Sequence, residues 1–179
     1  RLVLVGSGGL GQEVMPVLKV LAAPGLEYLA APAFLPAFRD AGNAVGRALG
    51  KVGLRLSPQA FEMWKSYVSL TDPAARSAFV QTLRSVIDVR GQRVSAHDRL
   101  YLSAHVPTLI AWGDGDPVIP VDHAYAAQAA MPGARLEIFE GSGHFPHVED
   151  PARFASVLLE FIAATEPAHV TADELRRLL

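Results

Sequence analysis

The sequence predicts an α/β fold, in which three mainly parallel strands with flanking helices form a small sheet that is interrupted by an inserted helical segment. Leu2-Val3-Leu4-Val5, Leu109-Ile110-Ala111-Trp112 and Leu136-Glu137-Ile138-Phe139 are short apolar runs that each lead into a glycine-containing turn. Such runs mark parallel strands covered by helices. After the second and third runs the chain alternates strand, loop and helix, whereas the long interval after the first run carries helical spacing and no further strand.

The first run begins at residue 2 and is apolar throughout, so it is expected to be buried on both faces. Gly6-Ser7-Gly8-Gly9-Leu10-Gly11 follows it directly. Residues 12–104 are rich in Ala, Leu and Val and punctuated by Pro24, Pro32, Pro36, Gly42, Gly46, Gly50, Gly53, Pro58 and Pro73, which predicts a cap of short helices. Phe61, Trp64, Tyr67 and Val68 make one helical stripe, and Phe79, Leu83, Val86 and Ile87 make another. An insertion this long between two strands must fold on its own, and such insertions often cover a site. Residues 1–11 and 105–179 are left for the sheet and its helices.

Pro107 introduces the second strand, whose loop carries Asp116 into a helix expected over 121–131. Pro132-Gly133 ends that helix, and the third strand runs from Arg135 to Phe139. Gly141-Ser142-Gly143 then turns the chain at His144. Asp150-Pro151 starts a helix with a cap followed by proline, and Phe154, Val157, Leu158, Phe161 and Ile162 give it one apolar face. Thr171-Ala172-Asp173-Glu174 reads as a capping box for a last short helix with Leu175, Leu178 and Leu179.

Composition excludes several kinds of function. Half of the 179 residues are hydrophobic, enough for one substantial core. The net charge of −2 and scattered basic residues argue against a nucleic-acid partner. The absence of cysteine excludes disulfides, thiolate metal sites and a cysteine nucleophile. With no signal-peptide pattern and no apolar run near the ~20 residues of a bilayer span, a soluble, cytoplasmic protein is expected, without a membrane span and compatible with a homo-oligomer.

Asp116 and His144 both fall just past the carboxyl ends of strands, the edge of an open α/β sheet where reaction chemistry collects. A buried carboxylate that accepts from one ring nitrogen fixes the histidine tautomer and leaves the other nitrogen free to take a proton. No Gly-x-Ser-x-Gly occurs in the chain. Trp112-Gly113-x-x-Asp116-x-x-x-Pro120 and Gly141-x-Gly143-His144-x-Pro146 resemble the acid and histidine loops of the α/β-hydrolase superfamily, in the same chain order. The resemblance covers essentially the whole chain. It implies that Asp116 is the acid and His144 the general base of a triad, that residues 12–104 are a helical lid, and that the nucleophile lies in an N-terminal half missing from this chain. The strand, Gly-Gly-Leu-Gly and lid look like the corresponding segment of hydrolases that cleave carbon–carbon bonds in aromatic catabolism, and of related esterases.

Several residues compete for these roles. Asp114 is a second candidate acid. His147 with Glu149 and Asp150 offers only the beginning of a metal site, so neither metal nor cofactor is expected. His97, His105, His123 and His169 read as surface or structural histidines. Residues 6–11 satisfy Gly-x-Gly-x-x-Gly, but no acidic residue ends a second strand about 20 positions on, as a nucleotide site would require. Ser7 is an alternative nucleophile. Val118, Phe145 and Trp64 are candidate contacts for a small, largely apolar substrate, either an ester or a compound cleaved at a C–C bond. The rival reading is a non-catalytic relative that binds a small ligand.

Overall fold

The computed structural model describes residues 1–25, 31–169, 171, 173 and 176. The three expected strands form one parallel sheet in the order β1-β4-β5, comprising β1 (Leu2–Val5), β4 (Thr108–Gly113) and β5 (Arg135–Phe139). Val5 lies opposite Ala111, and Gly113 lies opposite Phe139, so the carboxyl ends of β4 and β5 are level and open onto the same edge.

Chain contacts divide the molecule into two compact units, Arg1–Val14 with Val94–Leu179, and Met15–Arg93. The first unit holds the sheet. Every residue of β4 is buried, as a central strand requires, and Leu109 and Ala111 pack with Phe139, Val157 and Phe161 into one cluster. Val157 and Phe161 come from the helix Pro151–Ala164, capped by Asp150, whose carboxylate accepts from Arg153 N at 3.1 Å. Phe154 and Leu158 pack against the same cluster, while Ile162 is exposed. β1 departs from the expectation of burial on both faces. It pairs only with β4, Val3 to Val5 are half-buried and Leu2 is exposed, which is the condition of an edge strand.

The helix expected over 121–131 runs Asp122–Ala130. The segment His97–His105 is 3₁₀-helical and belongs to the sheet unit, where Ala96 N donates to Gly9 O at 2.8 Å and Leu100 is buried. The division between units thus falls before Val94, inside the span expected for the cap. The last short helix, with Leu175, Leu178 and Leu179, lies outside the described residues.

The unit Met15–Arg93 is helical: α1 (Pro16–Ala22), α2 (Pro36–Lys51), α3 (Pro58–Ser69) and α4 (Pro73–Val86), followed by a two-residue hairpin of β2 (Ile87–Asp88) and β3 (Gly91–Gln92). Each helix opens with proline, whose fixed φ suits the first turn and whose missing N–H is unneeded there. The glycines behave differently from the prolines. α2 continues through Gly42, Gly46 and Gly50, so they are not breaks between short helices. Gly42 has a packing reason, because a Cβ there would collide with the Trp64 indole, whereas Gly46 and Gly50 face open space. No described helix is long and apolar enough to cross a membrane.

Candidate active site

β4 and β5 end side by side, and their loops are joined backbone to backbone. Gly115 N donates to Ser142 O at 3.0 Å, and a Cβ on Gly113 would collide with the carbonyl groups of Ser142 and Gly143. Only glycine permits that approach. Trp112, fully buried, ties the acid loop back by donating from Nε1 to Ile119 O at 3.1 Å.

Asp116 has a fully buried side chain and three donors. Val118 N and Ile119 N donate to Oδ1 at 2.8 and 3.0 Å, folding the loop around the carboxylate. Oδ2 receives the third hydrogen bond, from His144 Nδ1 at 2.8 Å. A carboxylate can only accept, so Nδ1 carries the proton and Nε2 presents its lone pair. His144 is 20% exposed, and Nε2 has no hydrogen-bond partner among the described residues. The arrangement holds a neutral imidazole with one nitrogen bound and the other available at the carboxyl edge of the sheet.

The floor beneath this ring is Gly6. Its φ is +51°, and an added Cβ would sit 3.1 Å from both Cε1 and Nδ1 of His144. The sequence reading placed Gly6 in a possible nucleotide loop and missed this contact; the clue available in sequence was a glycine at the end of the strand next to β4. The other glycines of that loop also have local explanations. Gly9 has φ +85° and accepts from Ala96 N, and Gly11 lies against the His123 ring. No helix starts at Gly11, as a dinucleotide site requires; the next helix begins at Pro16. Ser7 is not among the partners of His144.

Of the two candidate acids, Asp116 reaches the histidine. Asp114 instead accepts from Gly141 N at 2.8 Å, linking the loops from their outer side. Glu149, not singled out as a partner of this loop, accepts from Gly143 N at 3.0 Å and from Phe145 N at 3.3 Å. The half-buried Phe145 ring lies edge-on to His144, with centroids 5.0 Å apart. His147, exposed, has its ring between Phe145 and Phe154, at 6.2 and 5.8 Å. Val118 reaches the site through its backbone N–H to Asp116. Trp64 lies in the helical unit. There it donates from Nε1 to Asn43 Oδ1 at 3.1 Å, packs on Tyr67 at 5.0 Å, and forms part of a groove of about 760 Å³ with Val45, Leu49, Leu56 and Phe61.

His123 departs from the surface or structural reading in one respect. It is buried, and its Nδ1 has no hydrogen-bond partner. Burial lowers its pKa below the usual histidine value and His97 adds to that, against the opposing pull of Asp122, Glu13 and Asp116. His97 meets the carbonyl of Leu10 through Nε2 at 2.6 Å, and His105 and His169 are exposed.

Comparison with known proteins adds the family context. The sequence model of the alpha/beta hydrolase family matches residues 2–157. An uncharacterized protein of Mycobacterium tuberculosis is 44% identical over the whole chain, which covers 53% of that protein. The 2-hydroxy-6-oxo-6-(2'-aminophenyl)hexa-2,4-dienoic acid hydrolase of Metapseudomonas resinovorans is 28% identical over 90% of this chain and 51% of its own length. Among solved structures, the 2-hydroxy-6-oxo-6-phenylhexa-2,4-dienoate hydrolase of Rhodococcus sp. strain RHA1 superposes with a TM-score of 0.56 at 18% identity, covering 92% of this chain and 55% of that one, a likeness of fold. The chain spans about half the length of these relatives.

Proposed function

The chain belongs to the alpha/beta hydrolase family, and on that premise we propose that it supplies the acid and base of a hydrolytic site whose nucleophile, a serine hydroxyl, is contributed by the remainder of the full-length protein. His144 Nε2 takes the proton of that hydroxyl as it attacks the substrate carbonyl, and Asp116 steadies the imidazolium that results. His144 then returns the proton to the leaving group, and water repeats the cycle to release the acyl group. The observation that supports this reading most directly is the 2.8 Å bond from His144 Nδ1 to a fully buried carboxylate, with Nε2 left without a partner at the edge where two strands end.

We further propose a small, largely apolar substrate cleaved at an ester or a C–C bond, met by Val118 and Phe145 beside the imidazole and by Trp64 in its groove. The C–C alternative draws on the Metapseudomonas resinovorans relative, named as a hydrolase of a hexadienoic acid. The test is to express the full-length polypeptide, label it with a fluorophosphonate probe and measure turnover of p-nitrophenyl esters and of a 2-hydroxy-6-oxo-dienoate. Labelling of one serine, with turnover of either substrate lost in His144→Ala, supports the proposal. An unlabelled protein, or an active His144→Ala variant, overturns it.

A further inference from the structure

We propose that Glu149 is a positioning residue for His144: it holds the backbone arch from which the imidazole projects, without touching the imidazole. The inference rests on the reading of His144 as the base. Glu149 ends the short helix Pro146–Glu149, and a single oxygen, Oε1, accepts from Gly143 N and from Phe145 N, one residue to either side of His144. Two N–H groups converging on one charged acceptor fix the dihedral angles of the residue between them. Those angles decide where the ring points. No Lys or Arg pairs with Glu149 among the described residues, so its carboxylate is committed to this arch.

The rest of the loop gives the arch its importance. Gly141 has φ +72°, and Asp114 secures its N–H from the opposite side. His144 itself is held only by its bond to Asp116 and by contact with Gly6 and Phe145. Without Glu149, the stretch from Gly143 to Phe145 keeps its sequence but loses the acceptor for both N–H groups, and the ring shifts relative to Asp116 Oδ2 and to the attacking hydroxyl. A misplacement of about 1 Å at such a group costs on the order of 10²-fold in turnover.

Acceptor geometry and charge are separable here. Glu149→Gln keeps the length and a carbonyl acceptor; Glu149→Asp keeps the charge but retracts the oxygen by one methylene; Glu149→Ala removes both. In the full-length protein, kcat and KM for a p-nitrophenyl ester are measured alongside the low-field proton resonance of His144 Nδ1–H, which reports its bond to Asp116. The expected order is Gln within about 3-fold of wild type, with Asp and Ala reduced by ~10- to 100-fold in kcat at similar KM and a weakened or lost low-field resonance. Wild-type kcat and an intact resonance in Glu149→Ala overturn the proposal. So does a loss in Glu149→Gln that Glu149→Asp does not share, because charge rather than placement is then what matters. If Glu149→Ala fails to fold, the Gln and Asp pair decides alone. A fully active His144→Ala control removes the base assignment instead, and the resonance then still shows whether Glu149 places the ring.

Discussion

The two units of this chain achieve order by different means. In the sheet unit every residue of β4 is buried, and Leu109, Ala111, Phe139, Val157 and Phe161 form one contiguous core. In the helical unit neither α2 nor α3 buries a single residue, and Leu35, Phe38, Val45, Val52, Leu54, Leu56 and Phe61 are all about half exposed or more. What organises those helices is local: proline at each start, Ser57 and Asp72 as caps, and one close fit of Trp64 against Gly42. The difference teaches where each kind of change will register. Precise placement of side chains, the requirement of chemistry, belongs to the sheet unit; the helical unit tolerates surface change but depends on its end signals.

The largest expected effect follows from that division. His144→Ala in the full-length protein is expected to lower turnover by about 10² to 10⁴-fold, the usual contribution of a general base, with little change in thermal midpoint, because the ring is held by one hydrogen bond and is partly exposed. Steady-state kinetics beside a melting curve checks both halves. A large fall in midpoint would mean that the imidazole is structural, and the contrast between the units would lose its functional side.

Next is a pair of phenylalanines. Phe139 is fully buried in the core cluster, so Phe139→Ala should cost about 3–5 kcal/mol through lost burial and the cavity left behind. Phe61 on α3 is 52% exposed, and Phe61→Ala should stay within about 0.5 kcal/mol. Urea denaturation of both variants measures the difference, and similar losses would show that the helical unit has a core role that its exposure conceals. Smaller again is Asp72→Ala. Asp72 accepts from Ala75 N at 2.8 Å at the start of α4, and its removal should cost about 1 kcal/mol, confined to the helical unit. Hydrogen exchange along α4, compared with exchange in β4, tests that confinement.

How much of this was legible in the sequence also divides along the same line. The three strands, the Asp150 cap and the apolar face of the last described helix could be read because burial imposes a pattern on composition. The pairing of Asp116 with His144 was legible because both residues follow strands that end at one sheet edge. Three things were not. β1 looked doubly buried because an apolar run carries no mark of which side lacks a neighbour. The continuity of α2 through three glycines was hidden, because a glycine that admits a neighbouring indole and one that breaks a helix are the same letter. The roles of Gly6 and Glu149 depend on contacts with the His144 loop, made by residues whose types have commoner explanations.

The smallest expected effect is a slope rather than a loss, and it concerns the one buried imidazole that the proposed chemistry does not use. His123 is buried against Gly11 with Nδ1 unpaired, and burial holds its pKa below the ordinary 6.5. An unfolded histidine therefore binds its proton more readily than the folded one, so the stability linked to His123 is present above about pH 6.5 and is lost as pH falls toward the lowered folded value. Asp122, Glu13 and Asp116 oppose the shift, which keeps the slope shallow. Denaturation midpoints of wild type and His123→Gln between pH 8 and pH 5 isolate it: the variant starts from a different baseline but should decline less steeply with acid. Parallel curves would mean that His123 is protonated equally in the two states, and that the sheet unit hides no acid-sensitive group beneath its glycine loop.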